Sequence, residues 1–150
     1  MLPLVFFPEL ISADRALIRS DLSWLQYPLR TFIGQSLRSG NWPLWNPYGF
    51  GGYPLVAEGN LGVLSPFNLL FALPIPSHIS LTIFALVHIG MAAVFTYVLV
   101  RSLGMGRPAA SLAALSFGFG GTVTAQITNL CTMAGLAWTP LVLCLVIRAR

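Results

Sequence analysis

The sequence predicts an all-α, polytopic membrane protein, and three observations carry that expectation. Hydrophobic residues make up 56% of the chain and charged residues 8%, where an ordinary soluble domain carries about 25% charged residues. Ser77 to Val100 is an apolar run of 24 residues that is uncharged apart from any protonation of two histidines, and about 20 apolar residues suffice to cross a hydrocarbon core. Arg101, Arg107, Arg148 and Arg150 stand at the ends of apolar stretches with no acid among them. Basic residues so placed set orientation in a bilayer.

The elements follow in order. Met1 to Ile11 is apolar but would reach only about 16 Å as a helix. It lacks the basic lead and small-residue cleavage site of a signal peptide. Residues 1–11 are therefore expected to be the outer end of a truncated first span, in a piece of a longer protein. Residues 12–76 form a long loop. Within it, Pro28 to Ser39 reads as a helix, with proline at its start and Gly40 just past its end. Leu29, Phe32, Ile33 and Leu37 are expected on its apolar face and Arg30, Thr31 and Arg38 on the other, a pattern suited to the membrane surface. Phe67 to Leu73, fenced by Pro66 and Pro74, is too short to span and reads as an interfacial or re-entrant piece.

Three spans are expected after the loop, at 77–100, 109–125 and 130–147. A short turn, Arg101 to Pro108, joins the first two, and Gln126-Ile-Thr-Asn129 joins the last two. Pro140 is expected to kink the third. Ala110, Ala114, Gly118 and Thr122 recur every four residues, a stripe that lets helix backbones approach closely. The Gly118-Phe-Gly-Gly121 run is expected inside that helix rather than in a phosphate loop. All four acids, Glu9, Asp14, Asp21 and Glu58, precede residue 77, with four arginines. The excess of positive charge thus falls on the far side, which places the loop outside the cytoplasm.

Several function classes drop out. The isoelectric point is near 9.7, yet no basic run exists to track phosphates, so no nucleic-acid partner is expected. Cys131 and Cys144 stand thirteen positions apart with no histidine or acid cluster beside them, and read as small buried side chains. No metal motif, catalytic triad, Walker loop or dinucleotide fingerprint is present.

The chemistry-bearing candidates lie in the loop. Asp21 is placed to deprotonate an acceptor hydroxyl or to hold a divalent cation. It also suits a helix N-cap, ahead of Leu22, Leu25 and Leu29, although Pro28 argues against one smooth helix there. Asp14 is a second carboxylate. Arg15 and Arg19 suit a phosphate or pyrophosphate, or equally Asp14 and lipid headgroups. Trp42, Trp45, Tyr48, Phe50 and Tyr53 read either as an anchoring belt at the bilayer boundary or as platforms for sugar rings. Glu58 reads as solvated. His88 lies mid-span, where an ionisable side chain either serves function or bonds across a helix interface. His78 reads as interfacial.

The motif pattern resembles one family. Asp21 with Gln26 and Pro28, then Leu37-Arg-Ser-Gly-Asn-Trp-Pro-Leu-Trp-Asn-Pro47 and Phe50-Gly-Gly-Tyr-Pro54, resembles the YfhO family of bacterial membrane proteins. Ser65-Pro-Phe-Asn-Leu-Leu70, His88, Leu103-Gly-Met-Gly-Arg-Pro-Ala109 and Trp138-Thr-Pro-Leu141 extend the resemblance over nearly the whole chain, as the N-terminal portion of such proteins. Through it the chain is similar to GT-C glycosyltransferases. The resemblance implies a multi-pass protein of the bacterial cytoplasmic (inner) membrane. It implies sugar transfer from a polyprenyl-phosphate donor to a cell-envelope polymer acceptor. It makes Asp21 the active-site acid, with Arg15, Arg19 or Arg30 near the lipid phosphate and membrane lipid as a partner. The alternative is a non-enzymatic membrane protein: a transporter, flippase subunit or assembly scaffold. A transporter would place its ionisable site near the bilayer midplane, where His88 falls.

Overall fold

The computed structural model describes residues 22–149. The chain enters through one π-helical turn, Leu22–Gln26, which passes directly into helix α1, Tyr27–Arg38. Pro28 in the first turn of α1 has no N–H to give Trp24, so the change of helical register falls where one backbone bond is already missing. Helix α1 ends one residue before the expected boundary, with Gly40 at φ 74°. Asn41 N–H donates to Ser36 O at 2.9 Å and Gly40 N–H to Leu37 O at 3.1 Å. These two bonds close the last turn and require the left-handed residue that glycine supplies.

A small antiparallel hairpin follows. Strands β1 (Trp45–Asn46) and β2 (Tyr53–Pro54) pair Trp45 with Pro54 and Asn46 with Tyr53. Two short 3₁₀ segments, Leu55–Ala57 and Pro66–Ala72, then lead to α2, Ser77–Ser102. Helix α3 is Arg107–Gly118, α4 is Gly121–Thr124, a 3₁₀ turn covers Ala125–Thr128, and α5 is Leu130–Arg148. Apart from the hairpin, the described fold is helical.

Helices α2 and α5 are the two described helices long and apolar enough to cross a membrane, at 26 and 19 residues. At 1.5 Å per residue these lengths are about 39 and 28 Å. The expected span at 109–125 is not one helix. Helix α3 stops at Gly118, and Gly120 takes an extended conformation (φ −68°, ψ 157°) before the four residues of α4. Paired glycines lose the most backbone freedom in a helix, and here the chain uses them to leave it. The Gly118-Phe-Gly-Gly121 run is therefore a helix break, not helix interior. Ala110, Ala114 and Gly118 are buried as a stripe, while Thr122, beyond the break, is exposed.

The described residues divide between Phe84 and Ala85, inside α2, into two compact units. In residues 22–84, α1 packs chiefly against the Pro66–Ala72 segment. Ile33, Leu55, Leu61 and Val63 form an apolar core that Leu29, Phe32, Leu37 and Tyr53 flank. A methyl group on Gly34 would overlap the carbonyl oxygen of Phe71, so the two segments meet at a distance only glycine permits. Phe67 to Leu73, expected as an interfacial or re-entrant piece too short to span, lies as far as Ala72 in a 3₁₀ segment packed on α1 in this unit.

In residues 85–149 small side chains set the packing. A Cβ on Gly118 would lie 2.7 Å from the Cβ of Ala93, which brings α3 directly onto α2. Phe95 and Trp138 place their ring centroids 5.4 Å apart, joining α2 to α5. Asn129 caps α5 by accepting from Thr132 N–H at 3.2 Å. The helix runs on through Pro140, which leaves Leu136 O without its usual donor, and Thr139 Oγ1 donates to Gly135 O at 2.9 Å one position away. The Cys144 thiol is buried and lies 3.5 Å from Ser102 Oγ. Helix α5 leaves Val142, Leu143, Leu145, Val146 and Ile147 exposed.

Candidate functional site: a buried arginine and an aromatic hairpin

Asp14, Arg15, Arg19 and Asp21 lie outside the described residues. The candidates that can be placed are Arg30, Trp42, Trp45 and Tyr48, and all four belong to the unit of residues 22–84.

Arg30 departs most from its expected position. It was placed on the polar face of an amphipathic helix, yet it is 1% exposed. The buried stripe of the π turn and α1 runs through Gln26, Arg30, Ile33 and Gly34, so the helix is rotated toward its polar side. The reason is tertiary. The chain at 60–71 folds over that face and supplies the Asn68 amide and the Phe71 ring where an open polar face was expected.

Arg30 Nε donates to Gln26 Oε1 at 3.0 Å, one helical turn away, and Nη1 donates to Asn68 Oδ1 at 2.5 Å. The Arg30 guanidinium carbon lies 4.6 Å from the Phe84 ring centroid and 5.4 Å from that of Phe71. Cation–π contact of a desolvated guanidinium is worth about 2 kcal/mol. Such contacts matter because burying a charge costs several kcal/mol unless it is well coordinated.

Asn68 carries the network onward. Its Nδ2 donates to Gly62 O at 2.7 Å and lies 3.3 Å from Val63 O. One side chain thus fixes the 61–63 turn and orients its oxygen toward Arg30. Ser80 Oγ donates to Leu70 O at 3.0 Å, which ties the start of α2 to the same 3₁₀ segment. Among the described residues, no buried side-chain nitrogen or oxygen lacks a hydrogen-bond partner. A lipid phosphate would have to displace these partners to reach Arg30.

The hairpin is built differently. Successive residues of a strand point to opposite faces. Trp45 and its partner Pro54 are exposed, whereas Asn46 is buried and Tyr53 packs on the apolar core. Tyr48 N–H donates to Asn46 Oδ1 at 3.0 Å, and Gly52 N–H to Gly49 O at 2.8 Å. The indole of Trp45 lies against Gly52, where a Cβ would come within 2.8 Å of its Nε1. Tyr48 meets Phe32 edge-on at 5.6 Å, yet most of its surface stays open. Trp42 is exposed as well.

Sequence reasoning missed Asn68, Phe71 and Phe84 as partners of Arg30, and missed Trp24, which stands exposed on the π turn. Gln26 and Arg30 at a four-residue spacing were the one local signal of the pairing. The other partners are 38 or more positions away in sequence. His88 is 1% exposed on α2. Among the described residues, no three His, Cys, Asp or Glu side chains come together as a metal site. Glu58 is the only described carboxylate. No protein-family model matches the chain, and no curated protein or solved structure matches it either.

Proposed function

We propose that the chain is part of an integral membrane glycosyltransferase of the YfhO and GT-C kind. It moves a sugar from a polyprenyl-phosphate donor to a cell-envelope acceptor, with Asp21 as base or cation ligand. One observation carries the reading. Immediately after Asp21 in sequence, the chain builds a folded unit that displays Trp42, Trp45 and Tyr48 and continues without a linker into an apolar helix long enough to cross a membrane. A platform of this kind suits a reaction whose donor is anchored in lipid. The exposed aliphatic side chains of α5 support membrane embedding, because apolar surface left in water forfeits about 25 cal/mol per Å².

In this reading Arg30 is a brace for the unit, and Arg15 and Arg19 are the phosphate-facing cations. Trp42, Trp45 and Tyr48 sit at headgroup depth. The test is Asp21→Asn and His88→Ala, made separately in the intact protein in its own membrane, with acceptor glycosylation as the readout. Loss of transfer in Asp21→Asn alone is the expected result. Normal transfer in Asp21→Asn overturns the enzyme reading. Failed transport in His88→Ala would then favour the transporter, flippase or scaffold alternative, to which the buried position of His88 lends itself.

A further inference from the structure

We propose that the 45–54 hairpin is a lipid-insertion device, with Phe50 at its tip entering the acyl region of the bilayer; this rests on the membrane reading above.

Phe50 is 102% exposed, so its ring is as open as in an unfolded chain. It also holds φ at 53°, a region that bulky side chains avoid. Gly51 and Gly52 continue in the left-handed region at 75° and 101°. A glycine at position 50 would adopt the same turn without strain and without exposing a ring. The fold therefore supports an aromatic side chain at the one place in the hairpin where it gains nothing from the protein core.

The turn that presents the ring is held from beneath. The Gly52 to Gly49 bond closes it, Asn46 pins Tyr48 N–H, and the Phe50 ring stands edge-on to Tyr53 with centroids 6.3 Å apart. Asn46 and Tyr53 root the hairpin in the unit. The ring is thus presented by a braced turn.

Charge selects the occupant. Residues 39–57 contain no Asp, Glu, Lys or Arg, whereas Arg38 and Glu58 stand at the two borders. A charge-free block offers no complementary contact to a nucleic acid or to a charged protein surface. A sugar would need several hydrogen-bonding side chains beside the ring, and the residues flanking Phe50 in the turn, Gly49, Gly51 and Gly52, carry none. A hydrocarbon interior needs neither. Tyr48 in the turn and Trp45 at the base of the hairpin are residues that favour the headgroup layer. The same unit contains the first two turns of α2, so the bilayer is also the surface to which this chain is tethered.

The experiment uses single cysteines at three exposed positions, in the chain with Cys131→Ala and Cys144→Ala. Phe50→Cys reports the tip, Ser39→Cys the end of α1, and Val94→Cys the apolar helix. Each carries an environment-sensitive fluorophore in phosphatidylcholine vesicles, with or without a nitroxide on the lipid acyl chain. Circular dichroism confirms that each labelled protein retains its helix content. The expected result is strong acyl-chain quenching at positions 50 and 94 and little at 39, unchanged by added salt. Quenching at 94 without quenching at 50 overturns the insertion while leaving the membrane reading intact. No quenching at 94 removes the membrane reading and the insertion with it. Shielding of position 50 only after a polyprenyl-phosphate sugar is added assigns the tip to carbohydrate and overturns the proposal. A second variant, Phe50→Gly, keeps the turn and removes the ring. With Trp24, Trp42 and Trp138 each replaced by Phe, nitroxide quenching of the Trp45 emission should fall with it, and unchanged quenching counts against the tip as the inserting group.

Discussion

The two units of this chain solve opposite packing problems. Residues 22–84 bury a full positive charge and hold it with two side-chain amides and two aromatic rings. Residues 85–149 bury the small Ala92, Ala110, Ala114 and Ala137 together with Ile89, Leu130 and Met133, and leave further aliphatic groups of α5 exposed. The first encloses paired polar groups beside its apolar core of Ile33, Leu55, Leu61 and Val63. The second brings α3 onto α2 by close backbone approach over small residues. The loop is consequently a folded platform in its own right and not a strap between helices.

Removing the charge should separate the two most sharply. Arg30→Met leaves Gln26 and Asn68 without their buried donor and should cost about 4 kcal/mol, since each orphaned polar group costs about 1–3 kcal/mol. Amide hydrogen exchange in detergent should show protection lost across residues 22–84 and kept across 85–149. An even loss over both regions would mean that they unfold as one body and would break the comparison. Arg30→Lys should recover part of the protection, because a lysine restores charge without the planar fork that reaches both amides.

The next effect tests close approach. Gly34→Ala drives a methyl into the Phe71 carbonyl and should lower stability by about 3 kcal/mol, at the upper end of overpacking costs. It is read as a drop in the thermal midpoint. Gly118→Val is the counterpart in the other region and should cost about 2 kcal/mol, because it meets the Ala93 side chain as well as its backbone. Its loss of exchange protection should centre on α3 and the middle of α2. If Gly118→Val is silent, the small-residue account of that region falls.

The smallest effect has the opposite sign. Phe50→Gly should raise stability in detergent by about 1 kcal/mol, by releasing a left-handed non-glycine residue. A loss of stability would show that Phe50 makes contacts the fold depends on.

The elements were largely legible from local pattern, and the reasons are physical. The boundaries of α1 followed from proline at its start and glycine past its end, because both act through their own backbone. The long apolar runs of α2 and α5 were plain because length and composition alone define them. The face of α1 was misread at Arg30 for an equally definite reason. Periodicity records the side-chain type at each position, and an arginine scores as solvent-facing whatever lies above it. Only the chain at 60–71, folded over α1, converts that position into a core site. The break after Gly118 was misread because a stripe of small residues looks the same in a continuous helix and in one that stops at paired glycines. Of the candidate site, the exposed aromatics were visible in the sequence as types, whereas the outward display of Trp45 depended on the alternation of a strand two residues long.

Composition by itself thus determined that the chain holds helices long and apolar enough to cross a membrane, where they lie, and which short blocks hold its unusual residues. Local chemistry suffices for these, because hydrophobicity and backbone preference act over a few neighbouring positions. Tertiary structure alone decided that Arg30 is a buried brace, that Asn68 and Phe84 are its partners, and that Phe50 is presented outward. Each depends on groups brought together from distant positions, and a single buried charge is tolerated only where all of them arrive.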